Sequence, residues 1–211
     1  MELADRIKQL SVKYFDEVKQ IRRHLHQHPE LSFHEKETQA FLMSKLDGMG
    51  IPYRKIAKHG LLAEIKGNGD GKVIALRADI DALPVSENNE VSYKSTNKGT
   101  MHACGHDAHT ASLLGALKIL TELKNKWKGT IKFMFQPAEE KLPGGAIQMV
   151  REGALEDPEP LFVFGQHVDP DIPVGQIGMK PGPYMASSDE VTITLKGQGG
   201  HAALPWKLVD T

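Results

Sequence analysis

A mixed α/β fold, with a largely parallel sheet covered by helices on both faces, is the architecture this sequence predicts. Three observations point to it. Segments with apolar residues three and four apart alternate along the chain with short apolar runs of strand length. Those runs are predominantly apolar, as strands buried on two sides tend to be. No repeat, low-complexity stretch or Ser-rich linker interrupts the alternation.

The elements follow in order. Leu3, Ile7, Leu10, Tyr14, Val18, Ile21 and Leu25 recur at helical spacing, which predicts a helix over 3–28 that Pro29 ends. A second helix is expected over 35–48, stopped by glycine. Strand-like runs occupy 61–66 and 72–78. Asp107 is the expected N-cap of a helix carrying Leu113, Leu117 and Leu120 on one face. Then come a strand over 130–136, a short helix over 145–152 and a strand over 161–165. The composition shifts at Lys180-Pro181-Gly182-Pro183, placing a domain boundary within 181–186 and dividing 1–183 from 184–211. Beyond it Val191, Ile193 and Leu195 alternate with Thr192, Thr194 and Lys196, the period of a half-buried strand.

Composition excludes several function classes. Among 211 residues, 26 Lys and Arg stand against 27 Asp and Glu, so no bulk field calls for nucleic acid or an anionic membrane. A single cysteine forbids an intrachain disulfide and fits a reducing compartment. The charged, amphipathic start has no apolar signal-peptide core, and no run has the apolar length of a membrane span. Cytoplasmic localisation is the expectation.

The chemistry gathers around Met101-His102-Ala103-Cys104-Gly105-His106-Asp107-Ala108-His109. A thiolate and imidazoles at that spacing suit a borderline-soft divalent metal such as zinc. A zinc finger would need a second cysteine pair, which the chain lacks. Further ligands must come from elsewhere, and Glu139, Glu140 and His167 each follow a strand-like run. Asp79 and Asp81 close another such run, so three strands bring acidic or imidazole groups to one sheet edge, where α/β proteins bind ligands. Cys104 precedes a helix N-terminus, where the dipole favours a thiolate. The convergence points to a metallohydrolase. His24 and His28 stand four apart on a helix that Pro29 breaks, with no third ligand in view, and are read as structural.

Four ordered motifs carry a family resemblance: Arg77-Ala-Asp-Ile-Asp-Ala-Leu-Pro84, Met101-His-Ala-Cys-Gly-His-Asp107, Phe135-Gln-Pro-Ala-Glu-Glu140 and Gly199-Gly-His-Ala202. With His24-Leu-His-Gln-His-Pro-Glu30 they resemble metal-dependent aminoacylase-type amidohydrolases, a family that includes hippurate hydrolases, N-acyl-amino-acid deacylases and auxin-conjugate hydrolases. The resemblance implies a zinc-peptidase-like catalytic domain followed by the beginning of an α+β satellite domain used for dimerisation. It also implies that Cys104, His106, Glu140 and His167 are metal ligands, that Glu139 is the general acid/base, and that Asp81 orients a histidine ligand or the metal site. His201, from the satellite domain, would reach an active site across a homodimer to bind the scissile carbonyl. Two ions of zinc, manganese or cobalt and a small N-acyl amino acid or peptide-like substrate complete the expectation. One further ligand and the rest of the satellite domain lie beyond Thr211 in that pattern. The alternative is therefore a truncated, non-catalytic metal-binding relative.

Overall fold

The computed structural model describes residues 2–187 and 189–209. It divides into two compact units, Met1–Asp169 and Pro170–Thr211. The division falls ahead of the Lys180–Pro183 composition shift.

The first unit is a five-stranded mixed sheet with helices on both faces. Its elements are α1 (Leu3–Gln27), α2 (Lys36–Gly48), β1 (Tyr53–Ile56), β2 (Gly60–Lys66), β3 (Val73–Asp79), α3 (His106–Glu122), β4 (Thr130–Gln136), α4 (Gly145–Arg151) and β5 (Phe162–Gly165). The strand order is β1-β2-β4-β3-β5. β2 runs antiparallel to β1 and β4, whereas β3 runs parallel to both β4 and β5. Those three parallel strands end at one edge, which is what gathers their following loops.

Side chains alternate across the sheet with the period of two that a pleated strand imposes. Leu61, Ala63 and Ile65 of β2, with Ile131, Phe133 and Phe135 of β4, face a core completed by Ile21 and Leu25 of α1, Leu42 and Leu46 of α2, and Leu113, Leu114 and Leu117 of α3. Leu62, Ala75 and Met134 face the other way, against Met149 of α4 and Ala154. Lys132 is also buried on that second face, where its ammonium donates to the carbonyls of Ala154 and Glu156. Burial lowers its pKa.

Three elements differ from the sequence reading. β1 was not anticipated: it is short, carries Arg54 and Lys55, and turns into β2 through Ala57 and Lys58, both at positive φ without glycine or asparagine to signal it. The N-cap of α3 is Gly105 in a left-handed conformation, not Asp107, which lies inside the first turn with its carboxylate turned to Arg22 and His26. The third is the run 190–196, which forms no strand among the described residues. Val191, Ile193 and Leu195 are exposed, and no described neighbour supplies the ladder hydrogen bonds a strand needs. Within the second unit Gln198 and Val209 make an isolated antiparallel bridge, and no described residue is buried. No described helix is long and apolar enough to cross a membrane.

Candidate metal centre

The end of β3 delivers Asp79 and the residues just after it Asp81, the loop after β4 delivers Glu139 and Glu140, and the loop after β5 delivers His167. The turn before α3 adds Cys104, and His106 is that helix's first residue. Gly105 between them has φ of 83°, and a Cβ there would lie 2.3 Å from Val168 Cγ2. Only glycine supplies both the backbone conformation and the clearance that let the Cys104 and His167 loops meet.

They meet closely. Cys104 Sγ lies 3.3 Å from His167 Nε2. His106 Nε2 lies 3.7 Å from Glu140 Oε1, 4.0 Å from Glu139 Oε2 and 3.7 Å from Asp79 Oδ2. Among the described residues three overlapping groups have donor atoms within 4.8 Å of one another: Cys104, His106 and His167; Asp79, His106 and His109; and His106, Glu139 and Glu140.

Hydrogen bonds sort these donors. His106 donates from Nδ1 to Asp81 Oδ1 at 3.2 Å, which leaves Nε2 with a lone pair. That nitrogen is buried and has no hydrogen-bond partner, and neither has Glu140 Oε1. His167 donates from Nδ1 to the Val168 carbonyl at 2.6 Å, so its Nε2 lone pair faces the thiol. An imidazole whose far nitrogen is fixed by a carboxylate or carbonyl is the usual form of a metal-ligating histidine. His109 differs, because its Nδ1 donates to Asp79 Oδ1 at 2.7 Å while its Nε2 accepts the Val168 amide at 2.9 Å. Both nitrogens being engaged, His109 holds the His167 loop in place. Asp79 is likewise engaged, by His109 through one oxygen and by Arg77 at 2.7 Å through the other.

Electrostatics points the same way. Burial opposes ionisation of Asp79, but His109 and Arg77 overcome it and hold the carboxyl at about 2. Burial likewise opposes charge on Asp81 and is outweighed by His106 and Ser32. Burial disfavours the His106 imidazolium, yet Asp81 and Asp79 raise its pKa. Burial, then the neighbouring Glu140, raises Glu139. The expected thiolate preference at Cys104 is not met in the protein alone: burial, with Glu140, Glu139 and Asp79 behind it, pushes the thiol up to about 12. Burial, together with the carboxylates crowding the pocket, outweighs a helix dipole, and a bound dication would reverse that balance. An unpartnered buried imidazole, an unpartnered carboxylate oxygen and an excess of negative charge all fit a divalent metal.

His201 belongs to the second unit, where it is exposed and its Nδ1 accepts the Ala203 amide. Two residues around the centre escaped the sequence reading. Ser32 donates to Asp81 Oδ2 at 2.7 Å, and Glu35 accepts the Ala138 amide at 2.7 Å. Neither follows a strand or sits in a metal-like spacing. His24 and His28 lie near one another with His24 stacked on Phe41, and neither belongs to any of the three donor groups.

Comparison with known proteins places the chain among relatives of known kind. The chain is 48% identical over 192 residues to an N-acetylcysteine deacetylase of Bacillus subtilis, a match covering 90% of this chain and 50% of that protein. It is 44% identical over 190 residues to an N-acyl-L-amino acid amidohydrolase of Geobacillus stearothermophilus, covering 90% of this chain and 51% of the relative. Among solved structures, the YXEP protein of Bacillus subtilis, described as a dinuclear metal-binding peptidase of the M20 family, superposes with a TM-score of 0.77 at 46% identity, over 81% of this chain and 48% of its own. The chain thus spans about half the length of the relatives it matches. Residues 75–209 match the family model for peptidase family M20/M25/M40. With that match and the motifs that form the centre, the chain belongs to the M20/M25/M40 family of peptidases.

Proposed function

We propose that the protein hydrolyses the amide bond of N-acyl amino acids or small peptide-like amides. The observation that carries the reading is His106 Nε2, buried and unpartnered, with Glu139 and Glu140 carboxylates within 4.0 Å and the Cys104–His167 pair adjoining. Cys104, His106, Glu140 and His167 would hold divalent metal, two ions of zinc, manganese or cobalt in the complete site. A metal there supplies Lewis acidity at the acyl oxygen and acidifies the attacking water.

Each residue then has a distinct task. Glu139 is the more exposed of the two glutamates and is free to act as a base. It takes the proton of the attacking water as the hydroxyl oxygen adds to the acyl carbon. It returns that proton to the nitrogen as the C–N bond breaks, leaving a carboxylate and a free amine. Asp81 fixes the His106 ring, and His109 fixes the His167 loop. Residues 1–183 are read as part of the catalytic domain and 184–211 as the start of a satellite domain. In a homodimer of complete chains, His201 would bind the scissile carbonyl of the partner's site. Cytoplasmic action on a small, freely diffusing substrate fits the near-neutral charge balance. The names of the relatives, a deacetylase of N-acetylcysteine and an amidohydrolase of N-acyl amino acids, support the substrate class.

The test is release of free amine from N-acetyl and N-benzoyl amino acids by the chain joined to the C-terminal half of a relative, with zinc, manganese or cobalt supplied. Metal-dependent release is expected. Stoichiometric metal binding without release from any N-acyl amino acid would refute the substrate class.

A further inference from the structure

We infer that the loop 31–35, between α1 and α2, is a positioning element for the two site glutamates, acting through Glu35 and Ser32. The inference rests on Glu140 being a metal ligand, as proposed above. Its basis is how the Glu139–Glu140 turn is held. Ala138, immediately before the pair, has φ of 47°, a left-handed conformation that a residue with a side chain adopts only when its surroundings impose it. Both of its backbone polar groups are engaged. Its carbonyl accepts the Gly145 amide at 2.9 Å, and its amide donates to Glu35 Oε1 at 2.7 Å across 103 positions of sequence.

Glu35 is fully buried, and its second oxygen has no partner. It stands at the N-cap of α2 yet makes no side-chain capping bond there. Burial raises its pKa, and a carboxyl so placed is a standing cost unless it serves something. Beside its own backbone and that of Phe33, it reaches the Ala138 amide. From three residues earlier in the same loop, Ser32 donates to Asp81 Oδ2 at 2.7 Å, the oxygen that also accepts the Glu140 amide at 3.0 Å. The other oxygen of Asp81 takes His106 Nδ1. One loop thus sets the backbone on both sides of Glu139 and, through Asp81, the ring of a metal-facing histidine. The loop is itself tied to the site edge, because Leu31 bridges Ala82 and the Ala82 amide donates to the Glu30 carbonyl at 2.8 Å.

Neither residue touches the donor atoms of the centre, so both are positioning residues and not catalytic ones. The test is cobalt(II) titration of the 211-residue chain, followed by the thiolate charge-transfer band and by competition with a chelator, beside thermal melting by circular dichroism. Glu140→Gln serves as the reference for a lost ligand. Glu35→Leu should weaken cobalt binding about tenfold to a hundredfold, the range seen when supports of metal ligands are removed, while the band from Cys104 persists. Glu35→Gln keeps an oxygen that can accept the Ala138 amide and should bind as the parent does. Ser32→Ala should weaken binding less than Glu35→Leu. A folded Glu35→Leu chain that binds like the parent, while Glu140→Gln does not, would overturn the inference but leave the ligand reading standing. Parent-like binding by Glu140→Gln would overturn both. If Glu35→Leu fails to fold, Ser32→Ala decides: unchanged affinity there would also overturn the role of the loop.

Discussion

Two buried polar clusters flank the start of α3, each built around a histidine. On one side His26 uses both ring nitrogens, with Nδ1 at 2.8 Å from Asp107 and Nε2 at 3.0 Å from Glu87, and Arg22 completes the group at 2.7 Å from Asp107. Two cationic groups face two carboxylates, so the cluster can balance its own charge. On the other side His106 uses only Nδ1, and three further carboxylates, Asp79, Glu139 and Glu140, converge on the nitrogen it leaves open. Consecutive residues, His106 and Asp107, belong to clusters of opposite kind. The balanced cluster fastens α1 to α3; the unbalanced one is a place for a cation. His106 is therefore set apart from His26 by what its second nitrogen does and by the carboxylates around it.

The comparison breaks most visibly in turnover. In the chain joined to a relative's C-terminal half, Glu139→Gln should keep its metal and lose about 10²–10⁴-fold in rate, the usual contribution of a general acid/base. Glu140→Gln should lose metal together with activity. If metal analysis and the amine-release assay show the reverse, the adjacent glutamates have exchanged roles.

On the balanced side the expected effect is on stability. Asp107→Leu leaves His26 buried without its main partner and should cost about 3–5 kcal/mol, the penalty of breaking a buried pair from one side. Urea denaturation measures it. A loss below about 1 kcal/mol, the level of an exposed pair, would show that the cluster does not fasten the two helices.

Much of this arrangement was legible in the sequence, for identifiable reasons. Helical spacing from Leu3 to Leu25, the apolar runs that became β2 to β5, and the acidic or imidazole residues ending three of them are local signals, and the parallel β4-β3-β5 order brings those ends to one edge. What stayed hidden depends on contacts distant in sequence. Glu35 reads as an ordinary residue at a helix start until its carboxylate is seen on Ala138. Asp107 resembles an N-cap until Arg22 and His26 claim it, and Gly105, carrying the left-handed turn, does the capping. The alternation from Val191 to Leu195 is a strand signal that cannot become a strand without a neighbour to pair with, and the described residues provide none.

A smaller effect separates the clusters by pH. The hydrogen bond that His26 donates to Asp107, opposed by burial and assisted by Glu87, raises His26 above its ordinary 6.5 despite the nearby positive charge of Arg22. A histidine raised on folding stabilises fully below its unfolded pKa and loses that contribution as pH climbs through the folded value. In metal-free protein the stability gap between the parent and His26→Gln should therefore be widest below the ordinary imidazole value of 6.5 and narrow as pH rises above it. Melting temperatures across that range give the answer. A gap that widens with rising pH would mean that His26 is held neutral.

The most direct measurement is the metal content of the parent, Cys104→Ala and His26→Gln after reconstitution with cobalt(II) and removal of excess ion. The parent and His26→Gln should retain cobalt and show a thiolate charge-transfer band, whereas Cys104→Ala should lose the band and most of the metal. Equal metal in all three, or a band that survives the loss of Cys104, would contradict the assignment of the unbalanced cluster as the metal centre.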